Sequence, residues 1–188
     1  MNLELDEDIN TVYKLLKKLE KNEPNKPFLG TKVKDGDKVY WNWVTVGDMA
    51  KQAKHLASGM MSLGLLPERE ADGRKWRFVA IQAKNRVEWT VTHLANMNCK
   101  TTTVGLHDTL SDKETRYIVA QTELATICCS GPNVERHIRL KMMDDDVPEK
   151  DRKYNLVRNL VVFDQEIMNN QDILEKAKKA GLSVYTYD

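Results

Sequence analysis

Apolar residues recur along the chain at two periods, one helical and one alternating, and each change of period marks an element. Ile9, Val12, Leu15, Leu16 and Leu19 repeat at three and four. This predicts an amphipathic helix over 8–20, closing in a proline-bounded linker at 24–27. Two extended runs, 28–33 and 39–44, flank Lys34, Asp35, Gly36 and Asp37 and predict a hairpin with Asp-Gly in its turn. Thr45 then stands three residues before Asp48, ahead of Val46, Met49, Ala50, Ala53, Leu56, Ala57, Met60 and Met61. That pattern predicts a capped helix over 46–63 that stops at Gly64, with its methionines filling core.

After a charged loop at 67–75 the two periods alternate in a regular cycle. Strand-like runs fall at 78–83, 101–106, 125–130, 160–163 and 183–186. Helices between them are predicted over 86–98, capped by Asn85 with Glu88, and from the Ser111/Glu114 capping box through Gln121. Further helices are predicted from Pro132 to about Lys141 and over 172–180, the last stopped by Gly181. Strands separated by helices predict an α/β fold, a mainly parallel sheet with flanking helices, preceded by an N-terminal helix and a β-hairpin.

Composition narrows the classes of partner. At 188 residues, 41% hydrophobic and 30% charged, the chain is long enough for one domain with its own core. Lys plus Arg is 29 against 28 for Asp plus Glu, a formal charge of +1, so no basic field is expected to hold nucleic acid. The longest apolar runs fall far short of the roughly 20 residues of a membrane span, and the acidic start at 1–8 is unlike a signal peptide. A cytosolic protein is expected. Cys99, Cys128 and Cys129 are odd in number and lack framework spacing, which reads as buried, reduced thiols.

Candidate chemistry is sparse. The nine glycines are scattered and build neither a dinucleotide fingerprint nor a P-loop. His55, His93, His107 and His137 share no metal-ligand spacing, and Ser58 before Gly59 lies inside a helix rather than on a nucleophile elbow. Asp144, Asp145 and Asp146 lack the alternation of a calcium loop and read as a solvated loop. No catalytic, cofactor or metal residue is assigned. The one candidate site is the loop of Gly105, His107, Asp108 and Thr109, because it follows a strand of a parallel sheet directly, where ligands bind in this fold class. An adjacent His and Asp there more often form a hydrogen-bonded pair that fixes the loop.

Several stretches carry a resemblance. They are Lys26 through Thr31 (KPFLGT), 41–46 leading to Leu63-Gly64-Leu65, Asn85-Arg86-Val87-Glu88-Trp89, Val104 through Ser111 (VGLHDTLS), and Leu160 through Asp164 (LVVFD). In this order and spacing, over nearly the whole chain, they resemble the N-terminal part of AMP-forming acyl-CoA synthetases of the adenylate-forming superfamily. The Pro-Phe-Leu-Gly-Thr and Asp-Thr-Leu pieces resemble the long-chain fatty-acid branch. The family usually has proline where Gly105 stands and tyrosine where His107 stands, and its loop at 67–75 is shorter and less charged.

The resemblance implies a fold and a reaction. Residues 28–188 would be an incomplete N-terminal portion of an AMP-binding domain, with 1–27 as helix and linker. The parent enzyme would use ATP, magnesium and coenzyme A to make an acyl adenylate and then an acyl-CoA; because its substrate is membrane-soluble, the resemblance also allows a cytoplasmic place peripheral to a membrane, although no amphipathic basic helix of this segment would anchor it. The family's phosphate loop, nucleotide-binding residues and catalytic lysine lie downstream of residues resembling Val184 to Asp188, so no cofactor is expected in this segment and its role would be architectural. An open sheet edge and an apolar face are expected to need a cover, either the C-terminal remainder, another copy or a protein of a larger assembly. Two further readings stay open: a diverged, non-catalytic structural subunit of such an assembly, contacting it through 67–75 and 144–153, and an α/β binding module that shares segment order only.

Overall fold

The three central strands are buried on both faces, and the rest of the molecule is arranged around them. The computed structural model describes residues 9–144, 148 and 154–188. Its main sheet comprises β5 (Phe78–Gln82), β6 (Thr102–Gly105), β7 (Thr126–Cys129), β8 (Asn159–Val162) and β9 (Ser183–Thr186), in the order β6-β5-β7-β8-β9. All four pairings are parallel, so the α/β reading holds.

Side chains alternate across the strands and sort into two cores. Ala80, Ile127, Cys129, Leu160 and Val162 pack with α4 (Asp112–Thr122), α5 (Gly131–Met142) and α6 (Gln171–Lys179). Val79, Ile81, Cys128 and Val161 pack with α2 (Val46–Ser62) and α3 (Val87–Asn98) on the other face. Right-handed crossovers account for this, because β6 lies on one side of β5 while β7, β8 and β9 follow on the other, sending α3 to the face opposite α4, α5 and α6. The adjacent cysteines therefore point into different cores, and burial pushes the Cys128 thiol up to about 12.

An outer layer lies over α2 and α3. The helix α1 (Val12–Asn22) packs on both, and a hairpin of β1 (Pro27–Asp35) and β2 (Lys38–Thr45) does the same, seating Leu29 and Val44 against that core. The turn is Gly36-Asp37, with Gly36 at φ +58°. Thr45 Oγ accepts from the Asp48 N–H at 3.2 Å, and Gly64 at φ +66° ends the helix, as its sequence spells.

Four local expectations need correction. The charged stretch 67–75 contains a second hairpin, β3 (Arg69–Ala71) and β4 (Arg74–Trp76), turning on Asp72 and Gly73, both at positive φ; this is the Asp-Gly turn a tight hairpin requires. Arg86, not Asn85, is the N-cap residue of α3, and no side chain caps that end. A 3-10 turn over Gln165–Asn169 precedes α6, which starts one residue early at Gln171 because Asn170 caps it by accepting from the Ile173 N–H at 3.2 Å. Asp144 is not solvated: it is 2% exposed, ion-paired to Arg116, and accepts from the Tyr154 N–H. Asp145, Asp146 and most of the loop at 144–153 lie outside the described residues.

His137 on α5 is fully buried, with Nδ1 2.7 Å from the Tyr154 hydroxyl and Nε2 without a partner among the described residues. Burial, helped by the charge of Arg136, pulls its pKa down to about 3. The unfolded chain takes up this proton near the ordinary value and the folded chain resists it. The neutral ring's contribution is therefore complete above pH ~6.5 and is lost as pH falls toward 3, by about 1.4 kcal/mol per unit. Urea unfolding at pH 7 and pH 4.5 should show a steeper acid loss for this chain than for His137→Gln.

Candidate functional site

Loops at the carboxyl edge of the sheet gather residues that are far apart in sequence. The chain leaves β5 through Ala83, Lys84 and Asn85 toward one face and leaves β7 through Ser130 toward the other. This divergence opens a switch point, the usual ligand position in such sheets. A crevice of about 670 Å³ lies at the ends of β5 and β6, floored by Ile81, Leu106 and Trp89 and rimmed by Lys84, Asn85, His107, Asp108 and Thr109. A wider recess of about 730 Å³ runs from Asn85 and Glu88 to Thr31 and Asn42 of the β1/β2 hairpin. Both sizes suit a small ligand.

The candidate loop lines the first crevice, but its His and Asp are not bonded to each other. His107 Nδ1 accepts from the Thr109 N–H at 3.3 Å and stands 2.8 Å from Thr109 Oγ, which places the ring proton on Nε2. Asp108 instead accepts from Asn133 Nδ2 at 3.2 Å, across the switch point. The same amide donates to Ser130 Oγ at 3.0 Å and reaches the Gln82 carbonyl at 3.4 Å. The expectation of a His–Asp pair fixing this loop is therefore corrected: each residue fixes it through a different partner. Gly105 ends β6 with open space where a Cβ would stand.

A second junction lies on the other side of the switch point. The Arg86 guanidinium holds Glu88 in a fork, Nε to Oε2 at 2.7 Å and Nη2 to Oε1 at 2.9 Å, and its third nitrogen reaches Asp164 at 2.8 Å. The other Asp164 oxygen accepts from the Gly131 N–H at 2.5 Å, at the start of α5. A Cβ on Gly131 would stand 3.2 to 3.3 Å from the Ile167 and Asp164 side chains, so a larger residue there would push both back by a few tenths of an ångström. Burial works to raise the Asp164 pKa, but the Gly131 N–H and the Arg86 charge outweigh it and hold the carboxyl below its ordinary value. Glu88 is likewise held low by Arg86 against burial. The anion position at this helix N-terminus is thus filled from within the chain.

Sequence reasoning singled out the Gly105 to Thr109 loop but did not foresee Asn133, Arg86 and Asp164 as its neighbours at this edge. The available signal was positional: Asp108 and Asp164 each follow the end of a parallel strand. Three of the stretches that carry the resemblance, Asn85 to Trp89, Gly105 to Thr109 and Phe163-Asp164, meet at this edge. Among the described residues no group of three His, Cys, Asp or Glu side chains is placed to hold a metal ion. No helix among them is long and apolar enough to cross a membrane.

Comparison with known proteins agrees with this fold. A family model described as AMP-binding enzyme matches residues 17–183. Fatty acyl-CoA synthetase B of Dictyostelium discoideum is 23% identical over 185 residues, covering 97% of this chain and 24% of that protein. Long-chain-fatty-acid–CoA ligase 5 of Rattus norvegicus is 23% identical over 177 residues, covering 94% and 23%. The chain spans about a quarter of the length of these curated relatives. Among solved structures, the adenylation domain of a carboxylate reductase from Mycobacterium chelonae superposes with a TM-score of 0.67 at 15% identity, over 94% of this chain and 28% of that one. The A domain of a carboxylic acid reductase from Segniliparus rugosus gives 0.68 at 14% identity, over 93% and 28%. At these identities the structures show shared fold.

Replacing Asp164 with Asn removes the charge that binds Arg86 while keeping the side chain's size. A loss of about 1–3 kcal/mol in urea unfolding at pH 7 is expected. The carboxylate contributes fully above its ordinary ionisation range and loses that contribution as pH falls through its lowered value. The gap between Asp164→Asn and the parent chain should therefore narrow in acid.

Proposed function

Because this chain belongs to the AMP-binding enzyme family, we propose that it is the N-terminal part of an ATP-dependent long-chain fatty-acid–CoA ligase. The observation that carries the reading is the meeting, at one edge of the sheet, of three separated stretches that resemble AMP-forming acyl-CoA synthetases, one of which holds the Asp-Thr-Leu piece that resembles the long-chain branch. The fatty acyl-CoA synthetases and long-chain ligases among its relatives support the same choice.

In this proposal a fatty carboxylate attacks the α-phosphate of ATP, pyrophosphate leaves, and the thiol of coenzyme A then displaces AMP from the acyl carbon. ATP, magnesium and coenzyme A are held by the remainder of the enzyme. Asp164 occupies the α5 N-terminus, and Arg86 is paired with Glu88 and Asp164, which supports a phosphate site elsewhere in the enzyme. Adenylation requires donors positioned around the phosphates. Residues 28–188 instead act as a wall and sheet layer of the large domain, and 1–27 as a packed helix and linker.

A diverged, non-catalytic subunit of a larger cytoplasmic assembly is the second reading. It is favoured by Gly105 and His107, which stand where the family usually has proline and tyrosine. ATP–pyrophosphate exchange with long-chain fatty acids decides between them. Protein purified from its native source should catalyse exchange that depends on fatty acid, while the 188-residue chain alone should not. Absence of exchange in native protein that is folded and carries the downstream family motifs would favour the diverged subunit.

A further inference from the structure

The β1/β2 hairpin has one face seated on α2 and α3 and one face turned outward. Register assigns the residues to faces, because directly paired residues share a side. Leu29 with Val44 and Thr31 with Asn42 lie on the inner face; Gly30 with Trp43, Lys32 with Trp41 and Lys34 with Val39 lie on the outer one. Trp41 is 55% exposed, Trp43 51% and Val39 53%. The two indoles lie 5.9 Å apart, and Trp43 lies across Gly30.

We propose that this outer face seats on an anionic lipid surface. Each indole offers an apolar ring and an N–H that donates no hydrogen bond among the described residues. Such a group is most favourable at the boundary between acyl chains and headgroups. Lys32 and Lys34 stand beside the aromatic row without an ion-pair partner among the described residues, matching phosphate and carboxylate headgroups. Asp35 falls on the inner face by register, and Asp37 lies in the turn. Two half-exposed indoles and a valine present on the order of 300 Å², well below the ~800 Å² per partner of a stable protein interface. Shallow insertion into a lipid interface needs no larger area. The inference does not depend on the ligase reading, since it uses only the hairpin.

The test is co-sedimentation of the 188-residue chain with vesicles of phosphatidylcholine alone or with phosphatidylserine, together with its tryptophan emission. Binding should require phosphatidylserine, weaken with salt and shift the emission to the blue. Trp41→Ser with Trp43→Ser should cut partitioning at least tenfold, and so, to a smaller degree, should Trp41→Ser alone, which leaves the Trp43–Gly30 packing in place. Lys32→Glu with Lys34→Glu keeps both indoles and should weaken binding to anionic vesicles by at least about fivefold per lysine. Tyr117→Ser, at an exposed ring on α4 across the sheet, should leave binding unchanged. No vesicle binding, or binding that survives both double variants, would overturn the proposal. So would a dimer that the indole variants abolish, which would assign the face to a second copy, or competition by soluble inorganic phosphate as strong as by lipid.

Discussion

Burial of β5, β7 and β8 on both faces is the constraint on which the rest of the structure depends. A parallel strand buried on both sides has no solvated face, so helices must cover the sheet above and below. Val79, Ala80, Ile81, Ile127, Cys128, Cys129, Leu160, Val161 and Val162 are all at most 2% exposed. Once β6 takes one side of β5 and β7 the other, the helices must divide between faces, and the carboxyl edge between them must open. The crevice and the Arg86–Asp164 junction both follow from that division. Position in the topology explains why so many polar groups meet there.

Strong local signals made most of the fold legible in the sequence. The Ser111/Glu114 box forms as spelled, with the Glu114 N–H reaching Ser111 Oγ at 3.3 Å and the Ser111 N–H reaching Glu114 Oε2 at 2.7 Å. Gly64 and Gly181 end helices at positive φ. The short, mostly apolar runs at 78–83, 125–130 and 160–163 are what strands buried on both faces require. By contrast, the β3/β4 hairpin was hidden by the charge of its residues, although Asp72-Gly73 repeats the signal of Asp35-Gly36. Arg86 displaced Asn85 from the cap position because α3 starts one residue later, and Arg86 is held there by ion pairs to Glu88 two residues on and to Asp164 far along the chain rather than by a capping side chain.

The candidate site was legible only in part. A loop after a parallel strand is a sequence-level expectation, and Gly105, His107, Asp108 and Thr109 do line the crevice. Which group each would bond is a tertiary matter, since Asn133 lies 25 residues beyond Asp108 and Asp164 lies 78 beyond Arg86. The same reasoning explains Asp144. In sequence it opens an acidic run, but in the fold the Arg116 charge and the Tyr154 N–H draw it into a buried pair.

As proposed, this chain is one wall of a longer adenylate-forming enzyme whose phosphate-handling groups lie elsewhere. Mass spectrometry of the protein from its native source tests this most directly, by intact mass and by peptides that extend past Asp188. Downstream peptides that include a glycine- and threonine-rich phosphate loop are expected. A native polypeptide whose intact mass ends at Asp188 would contradict the proposal, and the search would turn to the partner that completes the sheet.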